Sequence, residues 1–377
     1  MRIMHVITTL GRGGAEAMLL KLLSAGKSDF APVVVSLGDE GPIGKEISRL
    51  GIPVHSLNLS RKWPNPVKVL SIIPLVRRWR PQLIQGWMPH GNFMSVLAAM
   101  SLRNRIPVLW NIRMSLYDPA SEPKRTEMLI RLGARLSWYP AKIIYNTRIG
   151  ARQHEELGYR AAKTVILPNG FDCQILRPSD EARRSLRADL GITCDAVLVG
   201  LIARYHPMKD HANFIRAAGL VARQHPNARF LLAGTGVVPA ESRLVQVIAD
   251  AQLQGRVFLL GERADIPRLN AALDIACSAS AWGEGFSNTI GEAMACGVPC
   301  VATDIGDSGF IIGDTGLLVP RENPQALAEA IGRLVSAGAD YRKQRGAAAR
   351  LRVEQEFSLD SVARRYHDLY CDVLASQ

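Results

Sequence analysis

Short apolar runs alternate along this chain with longer segments whose hydrophobic positions recur every three to four residues. In the first half, runs at 2–8, 32–37, 53–57, 82–86, 106–111, 142–146 and 163–167 predict strands. Helices fit between them at 14–25, 42–50, 66–79, 91–101 and 124–137. Near-continuous apolar strands separated by helices belong to parallel sheets covered on both faces. A polar, charged stretch at 172–192 interrupts the pattern, which then restarts. Strands follow at 196–202, 228–233, 256–259, 273–277, 299–302 and 317–319, with helices at 210–224, 241–253, 264–271, 287–296 and 324–337. The segment 357–375 places Val362, Tyr366, Tyr370 and Val373 on one helical stripe.

The expectation is an α/β protein of two Rossmann-like, doubly wound parallel-sheet domains, 1–170 and 171–357, joined near residue 170. The length of 377 residues suits two such domains. Open sheets of this kind take ligands at the carboxyl ends of their strands, so two of them facing each other would form one cleft.

Composition adds three constraints. Six cysteines are scattered without Cys-x-x-Cys or zinc spacing, which with no export signal reads as reduced thiols in the cytoplasm. The first apolar stretch is too short for a signal peptide, and no run approaches the roughly 20 apolar residues of a membrane span. Charge is uneven: residues 1–172 hold 24 Lys+Arg against 11 Asp+Glu, and residues 173–377 hold 22 against 23. The basic half either meets something anionic or serves solubility alone. No nucleic-acid motif is present, so a nucleic-acid partner is not expected.

Candidate chemistry collects at predicted strand ends. In SASAWGEGFSNTIGEAMACGVPC, Ser287, Asn288 and Thr289 open a helix behind Gly283 and Gly285. Backbone N–H groups and the positive dipole end there suit a diphosphate. Glu292 falls about one turn inside that helix, within reach of a ribose, and Glu284 lies on the loop ahead, within reach of a sugar. Arg204 and Lys209 follow the strand at 196–202, where two cations would hold a diphosphate leaving group. The loop TTLGRGGAE carries Gly11, Gly13 and Gly14, which permit close approach of a phosphate or sugar. Its spacing is not that of a dinucleotide fingerprint, which argues against a nicotinamide oxidoreductase. His90 and Asn92 begin a helix after the strand at 82–86, and Arg113 ends the next strand. A lone His is more often structural than functional. No metal site of Asp-x-Asp type stands beside the donor loop, so no metal and no cofactor are expected, the two cations taking the metal's place.

Taken in order, these segments resemble the family 4 retaining glycosyltransferases, glycosyl transferases group 1. The resemblance covers nearly the whole chain and is strongest over 196–320. Glu284 and Glu292 match the family's Glu-x7-Glu signature, Arg204 and Lys209 its Arg/Lys pair, and LPNGFD (167–172) its domain junction. It implies a GT-B fold, with the final helix 358–377 crossing back to complete the N-terminal, acceptor-binding domain. It implies a nucleotide-diphosphate sugar donor, UDP by family frequency, held by the C-terminal domain without a metal. Glu284, Arg204, Lys209 and His90 are the implied catalytic set. Gly13, Gly14, Arg113, Phe286, Ser287, Asn288, Thr289 and Glu292 are the implied donor contacts. Two departures stand out: Arg113 replaces a His found in many members, and Gln85 and Trp87 replace a His-x-His pair.

The expected acceptor is a glycan or a polyprenyl-diphosphate-linked glycan. The stretch 124–142 mixes Lys124, Arg125, Arg131 and Arg135 with Met128, Leu132, Leu136 and Trp138. It reads either as an interfacial helix touching an anionic membrane at its inner face or as a packed helix with a solvated basic side. The rival readings are a nucleotide-sugar epimerase of the same fold and a catalytically inactive binding subunit of a glycan-assembly complex.

Overall fold

The computed structural model describes all residues except 26–29, 60–65, 103, 117–123, 194 and 377, together with the side chains of 66, 67 and 125. Cys194 and the Arg125 side chain therefore lie outside the described residues. The chain divides into two compact units, Met1–Gly170 with Leu359–Gln377, and Phe171–Ser358.

The first unit holds a seven-stranded sheet of β1 (Arg2–Ile7), β2 (Ala31–Ser36), β3 (Val54–Ser56), β4 (Leu83–Trp87), β5 (Val108–Ile112), β6 (Lys142–Tyr145) and β7 (Thr164–Ile166). Every neighbour is parallel, in the order β3-β2-β1-β4-β5-β6-β7. Five of six residues of β1 and all of β4 and β5 are buried, as expected for central strands covered on both faces.

The second unit has six parallel strands: β8 (Val197–Ile202), β9 (Ala228–Ala233), β10 (Val257–Leu259), β11 (Ile275–Ser278), β12 (Cys300–Thr303) and β13 (Leu317–Val319). Their order is β10-β9-β8-β11-β12-β13. Strand order therefore reverses between β1 and β4 in one sheet and between β8 and β11 in the other. Such switch points leave a crevice at the carboxyl ends where connections diverge.

The terminal helix Leu359–Ala375 belongs to the first unit, and its stripe of Val362, Tyr366, Tyr370 and Val373 is buried there. These side chains pack with Ile3, Ile7, Trp87, Leu109 and Ile144. Each fully buried apolar side chain contributes about 1.5–3 kcal/mol by removal from water. The tyrosine hydroxyls are satisfied: Tyr366 accepts from Asn111 Nδ2 at 2.9 Å, and Tyr370 donates to Gln85 Oε1 at 2.5 Å.

Three segments differ from the sequence reading. The helix predicted over 66–79 forms as Pro66–Leu70 and Ile72–Trp79. Pro74 has no N–H for the carbonyl of Leu70, and its ring crowds that carbonyl, so the helix breaks between them. The polar stretch 172–192 contains the helix Asp180–Asp189, capped by Ser179 accepting from Ala182 N at 3.1 Å. Its Arg183 and Arg187 reach Asp274 at 2.7 and 2.5 Å, and Asp274 also accepts from Leu198 N at 2.8 Å. Lastly, Gly338–Arg352 is helical although no apolar period announces it, because its buried residues are Arg342, Gly346 and Ala349.

In helix Lys124–Leu136 Ile130 is buried and Leu132 and Leu136 are half-buried, while Met128 is exposed. Cys277, Cys296 and Cys300 are buried, and burial pushes all three thiols up, Cys296 and Cys300 to about 12. They stay protonated and serve as small core residues.

Two predictions follow from this packing. Arg187 is 6% exposed, so Asp274→Ala strands a buried guanidinium and should cost about 3–5 kcal/mol in urea unfolding, whereas Glu127→Ala, which removes an exposed pair with Arg131, should cost less than about 0.5 kcal/mol. Burial depresses His5 to about 3 and His154 and His211 to about 4. These imidazoles bind protons less readily folded than unfolded, so stability should be full above pH 6.5 and fall as pH drops from 6.5 toward 4. A urea midpoint that stays level across that window would contradict this.

Candidate functional site

The second unit's switch point brings two loops together. The loop after β8 starts with Ala203 N donating to Ala233 O at 2.8 Å and Tyr205 N to Thr235 O at 2.8 Å, which extends the ladder past the strand. His206 Nδ1 then accepts from Met208 N at 3.2 Å and holds the one-turn helix Pro207–Lys209. Asp210, left-handed at φ 43, caps the helix His211–Gln224 by accepting from Asn213 N at 3.0 Å. Lys209 is thereby fixed at the crest of the turn.

The loop after β11 is stapled to this one. Ala281 N donates to Met208 O at 2.9 Å, and Thr303 Oγ1 donates to Ser280 O at 2.7 Å. Gly283 has φ +77, and a Cβ there would stand 2.3 Å from Met208 Sδ. Gly306 has φ +60, and its Cβ would meet the backbone oxygen of Glu284 at 2.1 Å. Both positions therefore demand glycine, by backbone angle and by space. Asp307 N then donates to Gly285 O at 3.0 Å and closes the back of the loop.

The outcome is a three-residue network. Glu284, 6% exposed, accepts from Lys209 Nζ and, at the same Oε1, from Ser280 Oγ at 2.7 Å. A buried carboxylate persists only when paired and hydrogen-bonded, and Glu284 is both. Arg204 lies exposed on the same loop.

The helix Asn288–Ala295 starts beside this network with Ser287 as its N-cap residue. The Ser287 side chain makes no hydrogen bond to the helix backbone and instead sits 3.3 Å from Thr289 Oγ1. This start thus lacks the side-chain cap that usually occupies the first N–H groups. Asn288 is exposed, and Thr289 and Glu292 are half-buried. Phe286 departs from expectation. Its ring is core, stacked on Phe171 at 6.0 Å and edge-on to Phe357 at 5.8 Å, so only its backbone remains for a ligand.

In the first unit the expected residues also sit at the switch point but do different work. Gly13 and Gly14 have ordinary φ angles. Glu16 folds back over Gly13, its Oε2 lying 2.3 Å from where a Cβ would be, and its Oε1 accepts from Thr9 Oγ1 at 2.8 Å. A carboxylate there can accept from hydroxyl groups, while Gly11 and Gly14 leave open space beside the backbone. Arg113 is taken up internally: it donates to Asn111 Oδ1 at 3.3 Å, Tyr366 Oη at 3.1 Å and Asn169 Oδ1, and lies 5.8 Å from the Trp87 ring centre. Burial lowers its pKa, while Tyr366 opposes the change. It ties β5 to the terminal helix. His90 is half-buried in the first turn of helix Met88–Met100, and burial lowers its pKa, so it is neutral at pH 7.

Sequence reasoning had no access to Ser280, Glu16 or Gly306. Their roles arise from contacts across loops, and only the density of Gly and Ser around Glu284 hinted at them. Among the described residues no group of three His, Cys, Asp or Glu side chains could hold a metal ion, and no helix is long and apolar enough to cross a membrane.

Comparison with known proteins gives two family matches. Residues 196–337 match the model for glycosyl transferases group 1, and residues 13–170 match that for a glycosyl transferase 4-like domain. The lipopolysaccharide core biosynthesis mannosyltransferase LpsB of Rhizobium meliloti is 26% identical over 338 residues, 87% of this chain and 89% of its own. The D-inositol 3-phosphate glycosyltransferase of Acidothermus cellulolyticus is 30% identical over 252 residues, 63% of this chain and 54% of its own. Among solved structures, Anabaena Alr3699/HepE in complex with UDP superimposes with a TM-score of 0.85 at 23% identity, covering 99% of this chain and all of that one.

The loop geometry makes a stability prediction. Gly306→Ala combines a forbidden backbone angle with a clash against Glu284 and should cost about 1–3 kcal/mol. Gly14→Ala, with nothing within 4 Å of the added carbon, should change stability by less than about 1 kcal/mol. Equal urea midpoints for the two variants would contradict the loop assignment.

Proposed function

Because the chain belongs to the glycosyl transferases group 1 family, we propose that it moves a sugar from a UDP-sugar to a glycan or lipid-linked glycan in cell-surface polysaccharide synthesis, with retention at the anomeric carbon and without a metal. The observation that carries this reading is the Lys209–Glu284–Ser280 network beside the uncapped start of helix Asn288–Ala295. It sets a cation, a hydroxyl-accepting carboxylate and a helix dipole at one switch point. UDP is supported by the HepE complex and the surface-glycan setting by LpsB.

On this reading the diphosphate lies against the N–H groups of Ser287, Asn288 and Thr289, with Arg204 and Lys209 as counter-charges. An arriving diphosphate shares Lys209 with Glu284. That leaves Glu284 oxygens for the sugar hydroxyls while Ser280 keeps the carboxylate in place. Glu292 accepts from the ribose. The acceptor oxygen attacks the anomeric carbon on the face the leaving group departs from. The bond from anomeric carbon to phosphate oxygen breaks, and that oxygen takes the acceptor's proton. Arg204 and Lys209 stabilise the charge that builds on it, the part a metal would otherwise play.

Lys209→Ala and Arg204→Ala should each lower turnover about 10²–10³-fold; the thermal unfolding midpoint without ligand should stay within a few degrees of wild type for exposed Arg204→Ala and fall for Lys209→Ala, which leaves the buried Glu284 without its cation. Near-normal transfer in both variants would refute the proposal. Conversion of a UDP-sugar to its epimer without acceptor would favour an epimerase instead.

A further inference from the structure

One tryptophan stands on the crevice loop of the second unit without a partner in the protein. Among the described residues the other tryptophans are engaged. Trp79 donates to His55 at 2.9 Å and Trp87 to His5 at 3.2 Å. Trp110 packs edge-on to Tyr159 at 6.3 Å, and Trp138 edge-on to Tyr139 at 5.7 Å. Among those same residues the Trp282 ring has no hydrogen bond, ring contact or cation partner, and the residue is 43% exposed. A covered aromatic side chain buries roughly 150–250 Å², so this exposure leaves on the order of 100 Å² of indole in water.

A single exposed apolar side chain needs no explanation by itself, but the setting of this one does. The preceding residues Ala279, Ser280 and Ala281 are buried. Ala281 N donates to Met208 O at 2.9 Å, and Ala281 O accepts from Arg321 Nη1 at 3.3 Å. On the other side Gly283 is held at φ +77, with the Met208 side chain packed where a Cβ would be. Buried Glu284 follows directly. An indole whose backbone is fixed on both sides loses little freedom when a ligand stacks on it.

The chemistry beside the ring selects the ligand. A pyranose presents C–H groups on one face and hydroxyls around its edge. C–H groups suit the electron-rich face of an indole, and hydroxyls suit a carboxylate acceptor such as Glu284, two residues away. A nucleobase has a flat face but no ring of hydroxyls. Under the transfer reading, on which this inference rests, Glu292 marks the ribose end of the ligand and Glu284 the sugar end. Trp282 adjoins the sugar end. We propose that Trp282 is the stacking platform for a pyranose ring in this crevice, covering the apolar face of the sugar while Glu284 takes its hydroxyls. Such a ring has two sources, the sugar of the nucleotide and a free acceptor sugar, and the test separates them.

The test is calorimetric titration of the full chain with UDP, with UDP-glucose, and with glucose added to the UDP complex. Trp282→Ala should leave UDP affinity within about twofold of wild type and weaken one sugar ligand about 3- to 15-fold, the range of an aromatic stacking contact. That ligand is UDP-glucose if the ring belongs to the nucleotide, and glucose on the UDP complex if it is free. Trp282→Phe keeps a flat ring and should recover most of the loss. The same sugar should shift the tryptophan emission of wild type beyond the effect of UDP, and Trp282→Phe should abolish that shift. The platform is overturned if Trp282→Ala binds all three ligands as wild type does, or if UDP affinity falls as far as the sugar affinities. It is also overturned if Trp282→Phe restores nothing. Absence of UDP binding in wild type sinks the transfer reading and the platform with it, whereas normal UDP binding with unchanged sugar affinities in Trp282→Ala sinks the platform alone.

Discussion

The proposed chemistry depends on one constraint, that a buried carboxylate must be paired. Glu284 cannot lie 6% exposed without Lys209 and Ser280, and neither partner comes from its own end of the loop. Lys209 is delivered by the connection after β8, and Ser280 by the residues just past β11. Those two strands are neighbours only because the strand order reverses there. The switch in topology therefore precedes the chemistry. It opens a crevice, two loops enter it, and a carboxylate lodged between them draws in a lysine. Gly283 and Gly306 allow the loops to approach that closely.

The first unit uses the same architecture for a different balance of charge. Its switch point holds Glu16 over Gly13 and a neutral His90, with Arg113 withdrawn into contacts with Asn111, Asn169 and Tyr366. The excess positive charge of the first half is spent elsewhere, much of it along the helix Lys124–Leu136 and at the amino ends of β5 to β7.

Much of this was legible in the sequence because apolar period is a strong signal. All thirteen strands among the described residues lie within or overlap the predicted runs, and the stripe of Val362, Tyr366, Tyr370 and Val373 announced the terminal helix. What stayed hidden had specific causes. The helix Asp180–Asp189 looked like a linker because its inward residues include Arg183 and Arg187, which fold inward only once Asp274 is there to receive them. Phe286 sat inside a ligand-like motif, yet its ring belongs to an aromatic cluster with Phe171 and Phe357 that no local pattern reveals. Arg113 looked free because two of its partners, Asn169 and Tyr366, lie 56 and 253 residues away in sequence. Residue types at strand ends forecast where chemistry collects, whereas long-range pairing decides which of them are available for it.

The central claim is that the crevice between β8 and β11 holds the diphosphate of a UDP-sugar. Calorimetric titration of the wild-type chain with UDP tests it most directly. One saturable site per chain is expected, weakened at least about tenfold by Lys209→Ala and by Glu292→Ala, since a hydrogen bond to a charged group is worth roughly 1.5–3 kcal/mol. Absence of binding heat, or equal affinity in wild type and both variants, would contradict the account.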